Sequence, residues 1–254
     1  MKTIIVMSFL LVCTFVNGQH KFSHEREIQG KENYNQHELD FFNLTDGLRL
    51  SGTLISPKKS YKKIIIIVPG SGKDTRYAHH KLATSFLENN IAVYRFDERG
   101  VGKSQGHFTS AIDRLTDDIS YCIKHLKSLP AFKNMEVGIL GHSLGGMASA
   151  IATKNSFKST TKVDFLIQIA SPVKNFSNAS KHQIRTLAQY KVKNKSENET
   201  VSLLDTLLQI TNTQKYQNIS DIALRNKGIE AIKKKGFNLK DIKFWSYTHI
   251  TLFK

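Results

Sequence analysis

The chain has 254 residues, 40% of them hydrophobic. That length suits one domain, or one domain with an insertion, and the apolar share is enough for a sizeable core, which excludes disorder. Lys and Arg number 37 against 21 Asp and Glu, a formal charge of +16. No nucleic-acid-binding module accompanies that charge, so it reads as a solvated basic surface with no nucleic-acid partner. Two cysteines exclude a disulfide scaffold and a Cys/His metal cluster.

Residues 1–18, MKTIIVMSFLLVCTFVNG, read as a cleaved secretory signal. Lys2 opens it, and the apolar run Ile4 to Val16 is too short to span a bilayer comfortably. Val16 and Gly18 suit the −3 and −1 positions of a signal-peptidase site, with Gln19 as the first mature residue. A lipoprotein signal at Cys13 is the alternative, and Val12 fits it poorly. The expected location is secreted or periplasmic, with Cys122 the one cysteine of the mature chain and no stable membrane span in it.

Residues 20–36 are polar and are expected to form a loose arm. Next, Asp46-Gly47 separates Leu39, Phe41 and Leu44 from Leu48, Leu50 and Leu54. A D-G pair between alternating apolar runs marks a hairpin, so two antiparallel strands should open the fold. Ile64 to Val68 is an unbroken β-branched run, the mark of a strand buried on both faces, and it stops at Pro69-Gly70-Ser71-Gly72. A helix over 77–90 follows, then a strand over 91–97 and a glycine-marked loop to Gly106. Residues 115–129 read as a helix, 135–146 as strand, turn and helix start, and 163–172 as a further strand. This alternation predicts an α/β fold: a mostly parallel sheet with an N-terminal antiparallel hairpin and helices on both faces. Residues 174–240 are rich in Asn, Lys, Ser and Thr and read as a helical cap or insertion on a core of 37–173, with 241–254 as a terminal segment. Six N-x-S/T sites (Asn43, Asn175, Asn178, Asn194, Asn198, Asn218) matter only in a glycosylating host.

The chemistry is expected at Ser143. Gly141-His142-Ser143-Leu144-Gly145 matches G-x-S-x-G, directly after a buried strand and before a small-residue helix. A turn that tight strains the serine and lifts its hydroxyl above the sheet, at a helix N-terminus that favours developing negative charge. Small residues two positions to either side avoid clashes. An acyl-transfer serine also needs oxyanion donors. The backbone N–H of Leu144 is one candidate. Ser71 N–H, on the loop after the earlier strand, is the other, with Gly72 as the fallback.

PGSGKDTR, RFDERGVGKS and GILGHSLGG, at these separations, resemble the α/β-hydrolase fold. The chain is most similar to secreted serine aminopeptidase-like and esterase-like hydrolases, over about residues 37–173. Leu48 to Pro57 matches the hairpin that precedes the first core strand in such relatives. The resemblance implies hydrolysis of carboxylic esters or related acyl compounds, some of them peptides, as small-molecule substrates and with no cofactor. It gives Asp97, Arg99, Gly100 and Gly102 a structural role at the sheet edge. Neither Gly100–Ser104 nor Gly70–Lys73 has the glycine spacing of a phosphate-binding loop.

Such enzymes place an acid and then a histidine on loops after later core strands. No strand that would carry them is legible beyond residue 171. Asp164 falls at the start of a strand, the wrong end, and the later acids lie in polar or helical stretches. His249, in FWSYTHITLFK, is the candidate base; a packed or solvated terminal histidine is the plain alternative. His142 is expected to point away from the nucleophile, and His79 and His80 to lie on the first helix. The chain therefore reads as the first two-thirds of a capped α/β-hydrolase, with its C-terminal strands missing. The leading expectation is a secreted serine hydrolase. The alternatives are a truncated or degenerate non-catalytic secreted protein, and a basic surface binder whose binding falls with salt.

Overall fold

A computed structural model describes residues 22–157, 161–172, 182, 195–217 and 221–238, without the side chains of 204, 208 and 211–225. The signal segment 1–18, the terminal segment 241–254 and His249 lie outside the described residues.

Eight strands are described: β1 Tyr34–Glu38, β2 Phe41–Asn43, β3 Leu48–Leu50, β4 Gly52–Pro57, β5 Lys63–Val68, β6 Ala92–Phe96, β7 Glu136–His142 and β8 Phe165–Ile169. Six form one sheet in the order β1-β4-β6-β5-β7-β8, and β2 pairs with β3 apart from it. β6, β5, β7 and β8 run parallel, while β4 is antiparallel to both β1 and β6. The chain has the α/β-hydrolase fold.

The isoleucine run of β5 is continuous because both faces of that strand are covered. Ile64, Ile66 and Val68 share a core with Tyr94 of β6 and with Ile119, Ile123 and Leu126 of helix α2 (Ile112–Ser128). Ala148 and Ala152 of α3 (Leu144–Ser156) complete that layer. Ile65 and Ile67 face the other way, with Val93 and Leu140, onto Ala83 and Leu87 of α1 (His80–Glu88). Parallel strands covered on both faces need this composition.

Two expectations are corrected. The opening is two antiparallel pairs. Asp46-Gly47 does turn β2 into β3, with Gly47 at φ 66°. Leu54, however, belongs to β4, which leaves that hairpin and joins the main sheet beside β1. Gly52 permits the join, because a Cβ there would stand 2.1 Å from the Tyr94 hydroxyl.

The segment before β1 is also not a loose arm. Ile28 is buried among Ile65, Ala83 and Leu87. Glu25, 1% exposed, accepts hydrogen bonds from Thr75 N (2.5 Å), Thr75 Oγ1 (2.8 Å) and Phe22 N (2.8 Å). One apolar residue and one satisfied buried carboxylate fix a stretch whose composition reads as solvated.

The loop after β6 has the structural role expected of it. Asp97, fully buried, takes both ends of the Arg76 guanidinium and the Lys103 backbone N–H. A Cβ on Gly102 would strike that carboxylate at 2.4 Å. Arg99 grips Asp118 of α2 through two hydrogen bonds of 2.7 Å and Asp46 of the hairpin turn through a third. Asn43 is buried and donates to Asp118, so it offers no surface for a glycan. Cys122 is a buried free thiol, its pKa pushed up by desolvation.

Two further helices, α4 (Glu197–Gln217) and α5 (Asp221–Lys234), pack together within the stretch expected to be helical. Ser196 and Glu199 form a reciprocal cap at the start of α4. Among the described residues no helix is long and apolar enough to cross a membrane.

Candidate active site

β5 and β7 are neighbours in parallel register, with Val68 opposite Gly141. Their carboxyl ends therefore deliver Pro69–Gly72 and His142–Ser143 to one spot on the sheet edge, where open α/β sheets hold ligands. Ser143 sits between β7 and α3 at φ 52°, ψ −121°, a conformation that an L side chain rarely adopts. Three contacts hold it there. Its N–H donates to Ile169 O of β8 (3.0 Å), and its carbonyl accepts from Gly146 N (3.0 Å) and Met147 N (3.3 Å). Its side chain makes no capping bond to α3, so the hydroxyl is not used up on the helix.

The glycines around it are there because there is no room. A Cβ on Gly145 would lie 1.9 Å from Pro69 O, and one on Gly141 would lie 2.5 Å from Gly146 Cα. The start of α3 thus packs directly on the loop after β5. That loop comes equally close to the serine: a Cβ on Gly70 would stand 3.4 Å from Ser143 Cβ and 3.3 Å from His142 Nδ1.

A cleft of about 760 Å³ opens over this corner. Ser71, Gly72, His142 and Ser143 line its floor side, and Phe22, Ser23 and His24 of the N-terminal segment contribute to its wall. Leu144 is buried behind Ser143 as the first residue of α3. His142 also lines the cleft, its ring edge-on to His79 with centroids 5.0 Å apart. His79 precedes α1 at φ 53°, and His80 is its first residue. Burial first, then the neighbouring His142, pulls the His79 pKa below the ordinary histidine value, which favours the neutral ring.

Sequence reasoning also missed a His–Asp pair. His24 Nε2 lies 2.5 Å from Asp74 Oδ1, and both line the cleft. Nothing in the polar run around His24 signals a partner fifty residues away. Asp164 stands just ahead of β8, and its carboxylate accepts from Val137 N (2.7 Å) and Lys127 Nζ, so it fastens strands far from the cleft. His24, Glu25 and Asp74 are close enough together to suggest metal ligands. Glu25, though, already accepts three protein hydrogen bonds, and the His24–Asp74 contact is itself a hydrogen bond.

Residues 59–222 match the family described as serine aminopeptidase, S33. A thiohydrolase, apmlB, of Arthrinium phaeospermum is 30% identical over 113 residues, which is 44% of this chain and 36% of that protein. Protein phosphatase methylesterase 1 of Candida albicans is 26% identical over 98 residues, 39% of this chain and 26% of that one. The aligned stretch thus spans about a third or less of these relatives' length. Among solved structures, an esterase of Pyrococcus furiosus superposes with a TM-score of 0.52 at 20% identity, covering 67% of this chain and 64% of that one. With its family pattern running from before β5 into α5, and an elbow serine on the sheet edge, this chain belongs to the S33 serine aminopeptidase family of α/β-hydrolases.

Proposed function

We propose that the chain is a secreted serine hydrolase that cleaves carboxylic esters or related acyl bonds through Ser143. The observation that carries this reading is the strained, capless Ser143 at the β7–α3 elbow, opening into a cleft. Strain of this kind persists only where the surroundings enforce it, and here three backbone bonds and two crowded glycines do so. Ser143 Oγ attacks the acyl carbon and forms the ester bond of an acyl-enzyme. Its proton passes to a histidine base and on to the leaving group, and water then releases the acid. The backbone N–H groups of Leu144 and Ser71 hold the oxyanion, the first at the start of α3 and the second on the loop packed against it. That base is not assigned among the described residues, and His249 is the candidate to test next. The names of the relatives, a thiohydrolase and a methylesterase, favour ester and thioester bonds over peptides.

The test is fluorophosphonate labelling of the mature chain beside a Ser143→Ala control. Labelling of the parent alone is expected. Equal labelling of both, or none of a chain shown to be folded, overturns the assignment. In the second case the non-catalytic reading takes its place.

A further inference from the structure

The wall of the Ser143 cleft carries two lysines, Lys73 and Lys81, four histidines, and one carboxylate, Asp74. That carboxylate is engaged by His24 at 2.5 Å. Neither lysine pairs with an acid among the described residues. Lys73 Nζ stands instead 5.6 Å from the Phe108 ring centroid. Lys81 lies in the first turn of α1, which contains no acidic residue. A cation there opposes the helix dipole, a mild penalty that a bound anion would reverse. His80 registers the same positive surroundings. Burial lowers the His80 pKa, and Lys81, Arg26 and Arg95 lower it further.

We propose that the cleft selects acyl substrates carrying a second, remote carboxylate, and that Lys73 and Lys81 are the residues that select it. The reading rests on Ser143 as the nucleophile. The scissile carbonyl sits at the elbow, and the free carboxylate extends toward the start of α1. A cleft whose wall carries two lysines unpaired among the described residues, against one carboxylate already engaged by His24, attracts an anion and speeds its encounter, by about tenfold.

Two fluorophosphonates test this, one with a neutral alkyl chain and one ending in a carboxylate. The carboxylate probe is expected to label Ser143 about tenfold faster at low salt. That ratio should fall toward one in the Lys73→Gln/Lys81→Gln double variant and at high salt. It should persist in Lys58→Gln/Lys59→Gln, which removes the same charge beyond Pro57, at the opposite end of the sheet. A ratio of one or less in the parent, or one unaffected by the Lys73/Lys81 change, overturns the proposal. If neither probe labels a folded chain, the nucleophile reading fails, and binding decides the charge question. Monomethyl adipate should then shift the His79 and His80 ring resonances at lower concentration than dimethyl adipate, and less so in the double variant. Equal binding of the two overturns the selection of anions.

Discussion

The two edges of the six-stranded sheet are finished in opposite ways. β1 ends one side with Asn35, Gln36, His37 and Glu38 turned outward, all exposed. Charges next to it are organised: Arg76, 3% exposed, bridges Glu38, Thr53, Ser51 and Asp97. β8 ends the described strands on the other side. Ile167 and Ile169 there are 37% and 36% exposed, with Ile151 and Phe157 of the adjoining α3 region exposed as well. A polar edge resists pairing with other chains, and an apolar one invites it. Among the described residues, one edge of the sheet is polar and the other apolar, and cohesion on the polar side comes from charge as well as from packing.

The contrast breaks most sharply at Arg76. Burial alone would make its guanidinium easier to deprotonate, but Asp97 and Glu38 outweigh that and raise its pKa. Arg76→Ala leaves Asp97 buried without its partner, and the expected loss is about 3–5 kcal/mol, read as a lower midpoint in urea unfolding. On the apolar edge, Ile167→Lys with Ile169→Lys should change stability by only about 0.5 kcal/mol per site, since both are partly solvated already. Light scattering should nonetheless show less self-association. An increase would mean that edge is not the sticky one.

The smallest effect sharpens the comparison at a polar lock on the surface, the start of α4. Glu199 has its pKa lowered to about 2, first by the Ser196 backbone N–H and then by the Ser196 hydroxyl and Lys195. A carboxylate with a lowered folded pKa stabilises above its ordinary value of 4.5, and that contribution fades as pH falls toward about 2. Ser196→Ala removes the hydroxyl but keeps the backbone N–H, so the Glu199 pKa should rise only part of the way toward 4.5 in an NMR titration. An unmoved value would show that the Ser196 hydroxyl takes no part in the cap.

The sequence makes the middle of this molecule legible and its margins obscure, for physical reasons. Ile64–Val68 and Val137–Leu140 are buried on both faces, so burial is written directly into their composition. The elbow is legible because its geometry admits only small residues at 141 and 145. The 22–33 segment is not, because Glu25 is held by backbone and hydroxyl donors from Thr75, and polar burial leaves no periodic trace. His142 illustrates a further limit. Its position in the chain fixes its Cα beside the nucleophile, but its packing against His79 depends on where α1 begins. The Ser196-x-x-Glu199 spacing is a helix-start signal that the Asn- and Lys-rich composition around it obscures.

The wall formed by Phe22, Ser23 and His24 has a practical consequence. Substituting any of the three reshapes the entrance to Ser143, so kinetic comparisons between variants should keep this segment constant.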